Sequence, residues 1–77
     1  MFYTKMLNLP LMKNSIRIER AIKGLTQENL ANMISVSRQT INAMEANKYV
    51  PSTVLALKIA KVFGKSVEEI FTLEKGD

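Results

Sequence analysis

The sequence predicts an all-α domain of five short helices, on two observations. Apolar residues recur three and four positions apart along most of the chain, the spacing of one helical face. Helix-capping residues and left-handed closers alternate between those stretches as starts and stops: Asn14, Thr26, Ser37, Ser52 and Ser66 open them, while Gly24, Asn47 and Gly64 close them. At 77 residues the chain holds one core. It is a small one, since a domain of this size buries only about 60% of its unfolded surface.

Each element follows from its residues. Asn14 caps a first helix from Ser15 to Lys23, which Gly24 ends. Thr26 caps the second, Gln27 to Ile34, with Glu28 favourable in its positive first turn. After only Ser35 and Val36, Ser37 caps the third, Arg38 to Ala46, and Asn47 tolerates the left-handed turn that closes it. Val50 precedes Pro51 and must be extended. Ser52 then caps a fourth helix running to Phe63, which Gly64 terminates. Ser66 and Glu69 form a capping box for a last helix through Ile70 or Phe71. The expected core is Ile16, Leu25, Leu30, Ala31, Ile34, Ile41, Met44, Ala56, Ile59, Ala60, Phe63, Val67 and Ile70, and the methionines and phenylalanines are read as core.

Composition narrows the chemistry. The chain has neither cysteine nor histidine, so it offers no thiol nucleophile, no imidazole base and no ordinary zinc site. No metal, cofactor or small-molecule ligand is expected, and no enzyme: Glu68 and Glu69 are adjacent, on different helix faces, and read as helix-start charges. The missing cysteines fit a reducing cytosol. Charge is segregated. From Lys13 to Lys61 eight bases face three acids, whereas from Val62 to Asp77 two bases face four acids. A basic body with an acidic tail suits a polyanion partner, though an ordinary solvated surface can look the same. Lys58 and Lys61 break the longest apolar run, Val54 to Phe63, so no membrane span is expected. The first twelve residues make a poor signal peptide. The expected location is cytoplasmic.

The second and third helices, joined by a short turn, form the arrangement that presents a recognition helix to DNA. With Ile41 and Met44 turned inward, Gln39, Asn42, Ala43 and Ala46 fall on the opposite face. A solvent face favours Glu and Lys. This one carries two amides suited to adenine edges and two small residues that permit close approach to bases and thymine methyls. Arg38, in the first turn, opposes the helix dipole and so reads as a functional residue for a guanine edge or a phosphate. Gln27, with the free amides opening the second helix, is a candidate for holding phosphate, as are Ser37, Thr40, Lys48 and Tyr49. For Ser37 a purely structural cap is an equal reading.

The segments Leu25-Thr26-Gln27-Glu28-Asn29-Leu30-Ala31 and Val36-Ser37-Arg38-Gln39-Thr40-Ile41-Asn42, with Glu45 and Lys48-Tyr49, closely resemble the phage-repressor and Cro-like (XRE) helix-turn-helix family. The likeness continues through Pro51-Ser52 and Leu55-Ala56-Leu57-Lys58-Ile59-Ala60 to Val67-Glu68-Glu69-Ile70-Phe71. It implies a five-helix, lambda-repressor-like domain, usually a dimer on a palindromic operator, of the compact kind without an effector domain. It further implies that Gln27 and Ser37 contact the DNA backbone while Arg38, Gln39, Thr40, Asn42 and Ala43 face bases. Arg20 and Glu45 match a family ion pair, and the helix dipole agrees, because a glutamate at a helix C-terminus needs a cation to answer it. Two positions depart from the family. Ser35 stands where glycine is usual, implying a strained serine or an altered turn. Glu19 stands where an aliphatic residue is common, with Ile18 beside it, implying a shifted first helix.

The division expected is an extension over 1–12, the helix-turn-helix domain over 13–71 and a tail over 72–77. Met12-Lys13-Asn14 reads as a start, so residues before it are either upstream sequence or an arm. In the second case Leu11 to Lys13 pairs as a short strand with Phe71 to Glu74, adding a small two-stranded sheet. A homodimer is expected, with Val50, Pro51, Leu55, Val67, Ile70 and Phe71 as interface candidates, of which Val67 and Ile70 also suit the core. The function expected is a sequence-specific regulator of transcription that binds double-stranded DNA, in the first instance a repressor. The alternative is an antitoxin-like protein whose main role is to bind a partner protein.

Overall fold

The computed structural model describes residues 12–74. The order is β1 (Met12–Asn14), α1 (Ile16–Lys23), α2 (Gln27–Ile34), α3 (Arg38–Glu45), α4 (Thr53–Phe63), α5 (Val67–Ile70) and β2 (Phe71–Leu73). The five helices surround one core in which Ile16, Leu30, Ile41, Met44, Ile59 and Ile70 are fully buried. Burial of such side chains is the main force holding a domain this small together. The two strands are antiparallel, with Met12 opposite Leu73, Lys13 opposite Thr72 and Asn14 opposite Phe71. The Ser15 N–H donates to the Ile70 carbonyl at 3.0 Å, so the two ends of the domain stay joined from sheet to helix.

Local chemistry sets the helix ends. Thr26 Oγ1 accepts from the Asn29 N–H and Asn29 Oδ1 accepts from the Thr26 N–H, a reciprocal capping box at α2. The shorter amide of Asn29 here does the work expected of a Glu or Gln at that place. Ser37, Ser52 and Ser66 cap α3, α4 and α5, and Glu69 closes the box on Ser66. Helix α1 begins one residue later than expected. Ser15 makes no side-chain cap, and Asn14 Oδ1, reaching from β1, accepts from the Ile16 N–H at 3.1 Å instead. Helix α3 ends at Glu45 rather than Ala46, a difference of one residue.

Several expectations change in the structure. Of the interface candidates, Leu55 on α4, Ile70 on α5 and Phe71 on β2 are buried in the chain's own core, as already allowed for Ile70. Val67 is half-buried against the core, as are Leu25 and Ala56. Met33 is exposed on α2 and so stands apart from the core methionine Met44. The first helix is not shifted: Glu19 itself is buried and Ile18 points to solvent at 62% exposure. Lys65 makes this tolerable by donating to Glu19 Oε2 at 2.6 Å. Ser35 is strained, with φ 61° and ψ 45°, the left-handed region that costs a residue with a Cβ about 1–2 kcal/mol.

Candidate nucleic-acid interface

Helices α2 and α3 meet through the three residues Ser35 to Ser37, and the left-handed Ser35 makes that turn tight. The Val36 N–H donates back to the Ala31 carbonyl at 3.0 Å, so the chain reverses within a single peptide of the helix end. Ser37 Oγ then accepts from the Thr40 N–H and shares a hydrogen bond with Thr40 Oγ1 at 2.9 Å. The hydroxyls of Ser37 and Thr40 are therefore joined at the start of α3.

With Ile41 and Met44 fully buried, α3 turns Arg38, Gln39 and Asn42 to solvent, and Ala43 lies half-buried among them. Gln39, Thr40, Ala43, Lys48 and Tyr49 line one shallow depression. The structure thus brings three residues expected to face bases beside two expected to hold the backbone. Asn47, at φ 60°, makes the turn that returns Lys48 and Tyr49 to the flank of α3. The Lys48 N–H donates to the Ala43 carbonyl at 2.8 Å and fixes the turn.

The other flank of α3 is organised by Glu45, whose side chain is 0% exposed. Arg20 Nε donates to Glu45 Oε2 at 2.6 Å and a terminal guanidinium nitrogen donates to Oε1 at 3.0 Å, a two-pronged pair. The remaining terminal nitrogen of Arg20 donates to the Leu25 carbonyl at 2.9 Å, tying the pair to the loop before α2. Burial pushes the Glu45 carboxyl up, but hydrogen bonds from Arg20 and Gln27 outweigh it and hold the group below the ordinary carboxylate value. The same hydrogen bond raises Arg20 further. Three helices are locked together here: α1 by Arg20, α2 by Gln27 and α3 by Glu45.

Gln27 makes contacts within the chain that the sequence did not announce. Its Nε2 donates to Glu45 Oε1 at 3.1 Å and to the exposed Asn42 Oδ1 at 3.4 Å, so both amide hydrogens have acceptors on α3. It therefore orients α3 as much as it faces outward. Arg17 was counted only as one charge of the basic body, although it stands one turn before Arg20 on α1, a spacing that puts both on one face. Its Nε lies 3.5 Å from Glu45 Oε1. Asn14 was expected only as a cap, yet its Nδ2 donates to the Met44 carbonyl at 2.8 Å and to Asn47 Oδ1 at 3.2 Å. That side chain holds the C-terminal end of α3 from the strand.

A buried face, a two-helix corner and an exposed amide-bearing third helix are the parts of a DNA-reading module, and comparison with known proteins agrees. The family model described as helix-turn-helix matches residues 16–70. The chain belongs to the helix-turn-helix family of the XRE type. It is similar to an uncharacterized HTH-type transcriptional regulator of Methanocaldococcus jannaschii, 56% identical over 63 residues, covering 82% of this chain and 96% of the relative. A second such regulator, from Bacillus subtilis, is 47% identical over 64 residues, covering 83% and 97%. Among solved structures, one from Bacteroides fragilis provisionally assigned as a DNA-binding protein superposes with a TM-score of 0.71 at 28% identity. It covers 79% of this chain and 98% of that one. The five-helix arrangement with its small sheet is thus the lambda-repressor-like fold of this helix-turn-helix family. Among the described residues, no helix is long and apolar enough to cross a membrane.

Proposed function

We propose that this helix-turn-helix protein is a transcriptional repressor that binds a palindromic operator as a homodimer. The observation that carries the reading is the outer face of α3. Arg38, Gln39 and Asn42 stand exposed there, on a helix whose inner face is fully buried and whose end is locked by Arg20 and Glu45. A rigid helix with two amides and a guanidinium can present the donor and acceptor pairs that distinguish base edges in the major groove. Arg38 and Gln39 lie in the first turn, which enters the groove deepest. Thr40, Asn42 and Ala43 complete the base-facing set, and Gln27, Ser37, Lys48 and Tyr49 hold the strands on either side.

A dimer follows from the size of one reading surface. Each specified base pair contributes about 1–3 kcal/mol, too little from a single short helix against roughly a million competing sites. Two copies with recognition helices about 34 Å apart double the readout. Of the interface candidates, Val50, Pro51 and Val67 line an apolar groove with Met12, Leu57 and the edge of Phe71. That groove, with exposed Val54 on the same helix as Leu57, is the surface proposed to meet the second copy.

Selection of bound duplexes from a random DNA pool tests the reading and yields the operator. On the selected site, Gln39→Ala should lose about 1–3 kcal/mol and relax preference at one position per half-site. Lys48→Ala should weaken selected and scrambled duplexes alike. No enrichment of any sequence, or a monomer by light scattering both free and on the selected duplex, would overturn the proposal.

A further inference from the structure

We infer that Arg17 is a phosphate-holding residue of the DNA interface, a third element gripping the strand from α1; this rests on the DNA-binding reading above. The charges around Glu45 do not balance. Arg20 already meets both carboxylate oxygens, at 2.6 and 3.0 Å, and is 15% exposed. Arg17 approaches the same carboxylate only through Nε, at 3.5 Å, and its side chain is 73% exposed. Two guanidinium groups therefore share one buried carboxylate, and the surplus positive charge lies on the outer one.

Its position is fixed by what else touches that oxygen. Glu45 Oε1 is also the acceptor for Gln27 Nε2, which in turn donates to the exposed Asn42 on the reading face. Arg17 thus stands within one carboxylate oxygen of the residues that border the groove-facing helix. It lies on α1 and flanks the last residue of α3, away from the first turn that enters the groove. A side chain there meets the sugar-phosphate backbone rather than base edges. Gln27, at the same corner, divides its amide hydrogens between Glu45 and the exposed Asn42. Arg17 adds donors of its own: its Nε is the atom nearest Glu45, the side chain is 73% exposed, and the planar fork of a guanidinium suits phosphate oxygens.

The test uses the full chain and a short fluorescent duplex of mixed sequence, with affinity measured across salt concentrations and melting followed separately. Each phosphate neutralised adds about 0.9 to the slope of log affinity against log salt. Arg17→Ala should flatten that slope by about this amount per bound protomer and weaken mixed-sequence and selected duplexes by the same factor. Arg17→Lys should keep the slope, because the charge remains. An unchanged slope with a lowered melting temperature would show that Arg17 serves Glu45 alone and overturn the inference. A loss confined to one sequence would make it a base contact and overturn it equally. If the parent protein binds no duplex in a salt-dependent way, the DNA-binding reading itself fails, and this inference with it.

Discussion

Replacing Glu45 by glutamine removes one negative charge and changes almost nothing in shape, so it isolates what the buried carboxylate contributes. The side chain is fully buried and accepts from Arg20 twice and from Gln27 once. In the variant, an amide NH2 must face a guanidinium, and Arg20 keeps its charge at 15% exposure without a counter-charge beyond what solvent supplies. Removing one partner of a buried pair costs about 3–5 kcal/mol. The lower end applies here, because Arg20 retains its bond to the Leu25 carbonyl and some access to water. A whole domain of this size has roughly 4–12 kcal/mol at about 0.05–0.15 kcal/mol per residue. About 3 kcal/mol is therefore a large part of the total. Urea unfolding at neutral pH, followed by helical circular dichroism, should show a much lower midpoint with an unchanged slope. The pH dependence carries the sign. The folded Glu45 titrates below its ordinary value of 4.5. Its stabilisation is thus complete above that value and is lost as pH falls through the lower folded one. The parent should lose stability on acidification faster than Glu45→Gln does. Arg20→Gln and the double variant complete the cycle. A coupling energy below about 0.5 kcal/mol would refute the argument that this pair locks α3.

Three further outcomes are expected. Ser35→Gly relieves the left-handed serine, which costs about 1 kcal/mol, and loses some of that gain to the freer unfolded chain; melting temperature should stay level or rise, and a clear fall would show an unrecognised role for the hydroxyl. Asn14→Asp keeps the acceptor for the Ile16 N–H but removes both donors to Met44 and Asn47, so helix content should persist while DNA affinity drops well below the melting range. Equal affinity would mean that the end of α3 needs no hold from the strand. Glu19→Leu removes one partner of an ion pair, but the lysine left behind is 41% exposed and water can take the place of the carboxylate, while the aliphatic side chain suits the buried site; melting temperature should stay level or rise, and a loss of several degrees would show that the pair contributes more than packing can.

The elements legible in the sequence were those with local causes. Thr26, Ser37, Ser52 and Ser66 each cap the helix they precede, and Gly24, Asn47 and Gly64 adopt the left-handed closures expected of them. Helical spacing also separated buried Ile41 and Met44 from exposed Gln39 and Asn42, which is why the exposed face of α3 was legible. What escaped depends on pairs far apart in the chain. Nothing near Glu19 announces Lys65, 46 residues away, and nothing near Asn14 announces the end of α3, 30 residues away. A buried acid reads as an exposed one until its partner is placed. Leu55 and Phe71 show the same limit from the apolar side, since spacing marks them as apolar but does not say whether the chain's own core or a second copy covers them.

The polar contacts of this small domain converge on α3. Its start is set by Ser37, its flank by Gln27, its last residue by Arg20 and its closing turn by Asn14. The neutral ones contribute about 0.5–1.5 kcal/mol each and those to the Glu45 carboxylate about 1.5–3, modest beside the burial of the core. Their effect is directional: hydrophobic burial fixes how deep α3 sits, whereas hydrogen bonds at both ends and along one side fix how it is rotated and tilted. A helix that reads bases must hold its side chains to fractions of an ångström, because hydrogen bonds to base edges fade within a small change of distance and angle. In a domain with so little core, placing polar locks at the start, flank and end of one eight-residue helix is the way to obtain that precision without a larger scaffold.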